Sequence, residues 1–324
     1  MSSAAEVSTT YRTGGGFTEV ADRVWIGRYP HWDTTIGLVH GSDGALVVDT
    51  RGAMAHGVEL HDDARRLAPD KPVRWVVNTH EHFDHVLGNL AFEDARIHAH
   101  ENAAARMADA CDRIKDEIRA DRSLDPSVPW YTSELLDAVL ETEYRLPDLT
   151  FSSASAIDLG DRIVELAYPG RGHTSGDIAI RVPDAEVVFL GDLIEQSAPP
   201  SYGGDCYPLD WPSTLDLAIG MLTDASVVVP GHGTAVDRAF VQDQRGDVSD
   251  IAELIRSLYA QGVAESEALN AGADGWPWEA ARLTEAVARG YAQLREESAV
   301  ATAAGKPDPN RTSAQPPAGT TNLL

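Results

Sequence analysis

The apolar positions fall into two blocks of short runs, with helix-spaced stretches between and after them. In the first block Val24-Trp25-Ile26, Thr35-Ile36-Gly37-Leu38-Val39 and Ala45-Leu46-Val47-Val48-Asp49 read as strands. The last two are joined at Asp43-Gly44, a pair that favours hairpin turns. A helix is expected over residues 54–67, then a strand from Val73 to Asn78 behind Pro72. Residues 79–90 read as a polar, histidine-rich loop, and Ile97 marks another short strand. Residues 101–121 and 132–144 read as helices, punctuated by Pro126, Pro129 and Pro147. In the first of these, Met107, Cys111, Ile114 and Ile118 share one face.

The second block predicts strands at 163–166, 178–180 and 187–190, a helix at 212–222 and a buried strand at Val227-Val228-Val229. Beyond Pro230, Ile251, Leu254, Ile255, Leu258 and Tyr259 recur at helix-face spacing, as do Leu283, Val287, Tyr291 and Leu294. These stripes read as core packing. The succession of strands, helices, strands and helices predicts an α/β fold with sheets packed between helical layers.

Residues 1–16 are small and polar and are expected to be disordered, as is the Ala, Pro, Gly, Thr-rich tail at 299–324. Between them lie a main domain, 17–240, carrying a helical insert at 101–148, and a helical extension, 241–298. The 324 residues carry a formal net charge of −25, which argues against a nucleic-acid partner because phosphate binding needs clustered Lys and Arg. Two cysteines, Cys111 and Cys206, make neither a disulfide framework nor a cysteine-rich metal site. The first ten residues lack the basic start and apolar run of a signal peptide, and no stretch approaches the ~18 apolar residues of a membrane span. A cytoplasmic protein is therefore expected, with no membrane association; its oligomeric state is not legible.

The chemistry concentrates in Thr79-His80-Glu81-His82-Phe83-Asp84-His85, just past a strand. His80 and His82 are two apart, so an extended backbone points them the same way, while Asp84 and His85 come after a turn. Core packing or surface solvation does not account for four metal-competent side chains in one loop. Downstream, His173, Asp192 and His232 each lie beside glycine just past a β-rich segment, a shared context that lets them converge.

His80-x-His82-x-Asp84-His85 with His173, Asp192 and His232 resembles the complete ligand set of the metallo-β-lactamase superfamily, over roughly residues 17–240. Gly172-His173-Thr174, Gly191-Asp192 and Pro230-Gly231-His232-Gly233 resemble its flanking patterns. The resemblance implies a four-layer αββα sandwich with metals at one edge. It implies that His80, His82 and His173 bind one ion, that Asp84, His85 and His232 bind a second, and that Asp192 bridges. Asp84 is also the candidate catalytic residue. Five histidines and two aspartates exceed the needs of one tetrahedral zinc, so two Zn2+ per chain are expected. The implied function is a zinc hydrolase in which a metal-bridging hydroxide cleaves an ester, lactone, thioester or amide of a small-molecule substrate.

Asp192 as a bridge looks like the glyoxalase II-like branch, as do the C-terminal helices, although these show no clear basic cluster to grip a glutathione carboxylate. Similar scaffolds bind one iron and oxidise persulfides, and the ligands alone leave that alternative open. Asp49 is expected to support a ligand histidine, and Asp177 to support one or to cap a turn. His98 and His100 are read as structural or supporting, and His31, His40, His56 and His61 as surface or packing residues. Tyr202, Tyr207, Trp130 and Tyr131 are candidate pocket residues, and Cys206 lies in a Gly-rich loop beside them.

Overall fold

The structure, a computed structural model, describes residues 16–124 and 131–303. Trp130, residues 1–15 and residues 304–324, on which expectations of a pocket wall and of disorder fell, lie outside the described residues.

Alternation in the strands fixes the layering. The first sheet runs in chain order through β1 (Phe17–Ala21), β2 (Val24–Arg28), β3 (Thr35–His40), β4 (Ala45–Val48), β5 (Val73–Val77), β6 (Arg96–His100) and β7 (Leu149–Phe151). It is antiparallel as far as β4 and parallel from β4 onward. The second sheet, in the order β12-β11-β10-β9-β8, holds β8 (Ala154–Asp158), β9 (Ile163–Ala167), β10 (Ala179–Val182), β11 (Val187–Glu195) and β12 (Val227–His232). Leu46 and Val48 of β4 meet Val187 and Phe189 of β11 in the core between the sheets. The alternate residues Ala45 and Val47 face outward onto Leu60 and Ala64. Val188 and Leu190 of β11 likewise face outward, onto a helical layer. Successive residues on opposite faces of each strand thus build three apolar seams from two short apolar runs.

Helix α1 (Met54–Leu67) covers the first sheet. The ligand loop contains a single helical turn, α2 (Phe83–Val86), followed by a 3-10 segment at Leu87–Ala91, so residues 79–90 are partly helical where a loop is expected. Helices α3 (Glu101–Ala120) and α4 (Ser133–Glu141) pack on it through Met107, Cys111, Leu136 and Val139. Over the second sheet lie α5 (Trp211–Ile219), α6 (Arg238–Ala260), α7 (Glu265–Ala271) and α8 (Thr284–Ala303). The C-terminal helices share one core with α5, and Trp211 is fully buried against them. They therefore form the fourth layer, and α8 continues past residue 298, where the tail was expected to begin. The architecture is an αββα sandwich. Among the described residues no helix is long and apolar enough to cross a membrane.

Candidate metal centre

The C-terminal ends of β5 and β12, the second half of β11 and the segment between β9 and β10, which carries His173, deliver the polar cluster. His80 follows β5 in a bend, His82 is in extended backbone (φ −69°, ψ 147°), and α2 then turns Asp84 and His85 back beside them. Asp192 lies within β11, because the strand continues through a left-handed Gly191 (φ 51°) to Glu195, rather than past its end. His232 is the last residue of β12, and a Cβ on the preceding Gly231 would overlap the Asp192 carboxylate. Glycine is needed there for space.

All seven expected residues meet, in two groups: His80, His82, His173 and Asp192, and Asp84, His85 and His232. Asp192 stands between them, with Oδ2 at 3.3 Å from His173 Nε2 and 3.2 Å from His232 Nε2, and Oδ1 at 3.3 Å from His85 Nε2. His82 Nδ1 lies 2.8 Å from His173 Nε2, and Asp84 Oδ2 lies 3.6 Å from His85 and 3.5 Å from His232. Donors about 2.0–2.1 Å from a tetrahedral ion stand about 3.3–3.4 Å apart, so these spacings suit zinc ligands. His80 Nε2 and Asp192 Oδ1 are buried without a hydrogen-bond partner, as polar atoms awaiting a cation would be.

Each histidine has its outer nitrogen tied down, which leaves the inner one facing the centre. His85 Nδ1 donates to Asp49 at 2.8 Å, His173 Nδ1 to the Ser201 carbonyl at 2.9 Å, and His232 Nδ1 to the Trp32 carbonyl at 2.7 Å. His82 Nε2 meets Asp205 at 3.2 Å, and Arg113 holds that carboxylate at 2.7 Å. Thr79 Oγ1 donates its one proton to Asp49, so at 3.0 Å it accepts from His80 Nδ1. Such bonds fix tautomer and ring orientation. Trp32 and Asp33 hold left-handed backbone (φ 56° and 57°), which costs a non-glycine residue about 1–2 kcal/mol. The Arg28–Asp33 pair at 2.5 Å secures that turn.

The electrostatics ask for positive charge. Burial disfavours a proton on His85, yet Asp192, Asp84 and Asp49 outweigh it and raise the group to about 9. His232 is raised in the same way, against burial, by Asp192, Asp84 and Glu195. Burial instead lowers His173 to about 4, despite Asp192. Asp192 is held well below the carboxylate range: burial opposes this, but the surrounding histidines prevail.

The centre opens into a cleft of about 610 Å3, walled by Trp32, Phe83, Ile114 and Arg113. Trp32, Ala110, Arg113, Glu117, Glu195 and Glu285 line the cleft without having been singled out from the sequence, and Asp205 lies in the loop after Asp192 without having been singled out within it. An acid in the loop after Asp192 was a weak signal for Asp205, and the carbonyls of Trp32 and Ser201 left none. Burial first, then Asp192, raise Glu195 to about 7, against the pull of His232. Tyr202 and Tyr207 do not line the cleft: Tyr202 packs on Trp211 and Tyr207 lies under Arg171. Tyr131 packs against the α3–α4 cluster instead. Cys206 is fully buried, as is Cys111. Asp177 caps the His173 loop, accepting from Gly172 N and Thr174. His100 caps α3 through Asn102 N, and His98 stays outside both groups.

Comparison with known proteins bears on the family and the fold. A family model described as the metallo-beta-lactamase superfamily matches residues 30–232. A metallo-beta-lactamase type 2 of Bacillus cereus is 25% identical over 53% of this chain, and the match spans only 56% of that relative's length. Human acyl-coenzyme A thioesterase MBLAC2 is 25% identical over 61% of the chain and 72% of its own. Among solved structures, a metallo-beta-lactamase from Pontibacter korlensis aligns at a TM-score of 0.55 and 20% identity, covering 73% of this chain and 99% of that one. The enzyme FIM-1 of Pseudomonas aeruginosa, in its mono-zinc form, aligns at 0.56 and 19%, covering 74% and 97%. These structural likenesses concern the fold.

Proposed function

The chain belongs to the metallo-beta-lactamase superfamily, and from that premise we propose that it is a hydrolase dependent on two zinc ions, cleaving an ester, lactone, thioester or amide bond of a small molecule. His80, His82 and His173 would hold one ion, Asp84, His85 and His232 the other, and Asp192 would bridge them. The observation that carries this reading is the set of five imidazoles, each held at its outer nitrogen with its inner nitrogen turned toward a common centre, where the inner nitrogens of His82 and His173 approach to 2.8 Å and those of His85 and His232 to 3.3 Å. Nitrogen and carboxylate donors without a thiolate suit zinc. When bound, the pair would supply a nucleophile at neutral pH and polarise the substrate oxygen.

The protein's own groups do the positioning. Asp49, the Ser201 carbonyl and the Trp32 carbonyl keep His85, His173 and His232 in the tautomer whose lone pair faces inward. Asp84, one of the two centre carboxylates that line the cleft, is the catalytic candidate, since Asp192 would be engaged by both ions. Trp32 and Phe83, edge to face at 5.0 Å, exclude water from one wall and leave an apolar surface for the substrate.

The test is elemental analysis of protein purified without added metal, followed by ester, lactone, thioester and β-lactam substrates. Two zincs per chain and hydrolysis abolished by a chelator are expected. One iron per chain with persulfide-dependent oxygen consumption would replace this reading with the dioxygenase one.

A further inference from the structure

Ser201 and Asp205, which orient His173 and His82, follow β11 on one stretch of chain, and α6 holds that stretch at its root. The Ser201 carbonyl accepts from His173 Nδ1, yet Ser201 is itself exposed. Its N–H donates to Glu195 Oε2 at 3.1 Å, which closes a loop back onto the last residue of β11. β10 pairs with β11 only as far as Phe189. Beyond that point the Glu195 N–H donates to Gln244 Oε1 at 3.0 Å, and Gln244 Nε2 donates to the Glu195 carbonyl at 2.7 Å. One side-chain amide thus stands in for a neighbouring strand, giving one acceptor and one donor. Gln244 belongs to α6, is 7% exposed, and lies past the residues that the family model matches. The groups that hold His85 and His232, Asp49 and the Trp32 carbonyl, come instead from the first sheet and the turn before β3.

We propose that Gln244 is a positioning residue for the metal centre, acting on His173 through Glu195 and Ser201; this deepens the hydrolase reading and rests on its assignment of His173 to the first ion. Without the amide, the buried Glu195 N–H and carbonyl lose their partners. The end of β11 loosens, the Glu195 carboxylate leaves the Ser201 N–H, and the carbonyl that His173 Nδ1 donates to is no longer fixed. An imidazole without its outer partner is free to turn and to change tautomer, and it binds metal less tightly than one held in place. Helix α6 is thereby part of the frame of the first site as well as a cover for the second sheet.

The experiment measures zinc affinity by chelator competition, and site occupancy by cadmium NMR, on the full-length protein. The first ion would couple to three imidazoles and the second to two, which tells the signals apart. Loss of a ligand's direct partner weakens metal binding about 10–100-fold, so Gln244→Met, further removed, is expected to weaken the first site about five- to tenfold and the second less. Gln244→Glu, which keeps the acceptor half of the pair, is expected to fall between, and carries the test if Gln244→Met does not fold. Glu195→Met, with the Gln244 bonds intact, is expected to weaken the first site about tenfold. Glu195→Gln, equally uncharged but able to accept from Ser201 N, is expected to stay within about twofold of wild type. Gln293→Met makes the same change at a buried glutamine of α8 that grips Leu209 and Asp210, and is expected to lower the thermal midpoint without preference between sites. Selective loss at the first site with no ester, lactone, thioester or β-lactam hydrolysed would uphold the positioning role and remove the hydrolase reading. Hydrolysis with the first site unchanged in the Gln244 and Glu195→Met variants, or weakened no more than the second, or weakened equally by Gln293→Met, would overturn the inference and leave the hydrolase reading standing.

Discussion

Asp49→Asn tests whether ligand orientation is imposed from outside the centre. Asp49 is 1% exposed, and its two oxygens accept from Thr79 N, Thr79 Oγ1 and His85 Nδ1, each at 2.8 Å. It has left-handed backbone (φ 64°), which asparagine tolerates, so the substitution adds no conformational strain. The amide can accept on one side only. With its oxygen toward His85 and Thr79 Oγ1, its NH2 group faces the Thr79 N–H. Flipped, it faces His85 Nδ1, which must then accept, and the ring proton moves to Nε2 and occupies the lone pair aimed at the centre. The first arrangement leaves buried donors unpaired, at about 1–3 kcal/mol, or a few degrees in thermal midpoint. The second removes a ligand atom, and loss of such a partner lowers metal affinity about 10–100-fold. We expect both losses together, read by thermal unfolding and by zinc competition against a calibrated chelator. A variant matching wild type in zinc affinity and midpoint would refute the assignment of Asp49 as the orienting group of His85.

Three further outcomes are expected. Since the folded-state value for His85, about 9, lies above the unfolded one near 6.5, its proton stabilises the zinc-free protein below pH 6.5, and that contribution is lost as pH rises through about 9. Zinc competes for the same nitrogen, so zinc affinity should tighten about tenfold per pH unit per proton displaced up to about pH 9, and an affinity flat between pH 7 and 9 would contradict this. Asp205→Asn should weaken zinc binding about 10–100-fold through His82 while circular dichroism stays unchanged; full zinc retention under a chelator would remove that role. Gly231→Ala should displace the Asp192 carboxylate, lowering metal content by elemental analysis and stability by about 1–3 kcal/mol; a variant with normal metal content would show that the β12 end has room to spare.

What the sequence determined is local. The unbroken apolar runs Ala45–Val48 and Val187–Leu190 read as strands, and in the structure they are apolar on both faces, with a core on each side of the sheet. The spacing of His80, His82, Asp84 and His85 marked a metal-competent loop, while the helical turn that brings Asp84 and His85 back beside the first pair came only from the structure. The downstream ligands were legible only as recurrent strand-end residues beside glycine and through family resemblance. Tertiary structure decided how they meet: β11 and β12 run parallel, which sets Asp192 beside His232. It also decided the outer contacts, since the Trp32 and Ser201 carbonyls are backbone groups that every residue carries, and only folding aims them. Asp205 and Arg113 are 92 positions apart, and no periodicity joins them. Glu285 reaches the cleft only because α8 packs over the second sheet. A side chain's identity and its neighbours along the chain specify what it can bind, whereas its distance from groups a hundred residues away depends on how the layers stack.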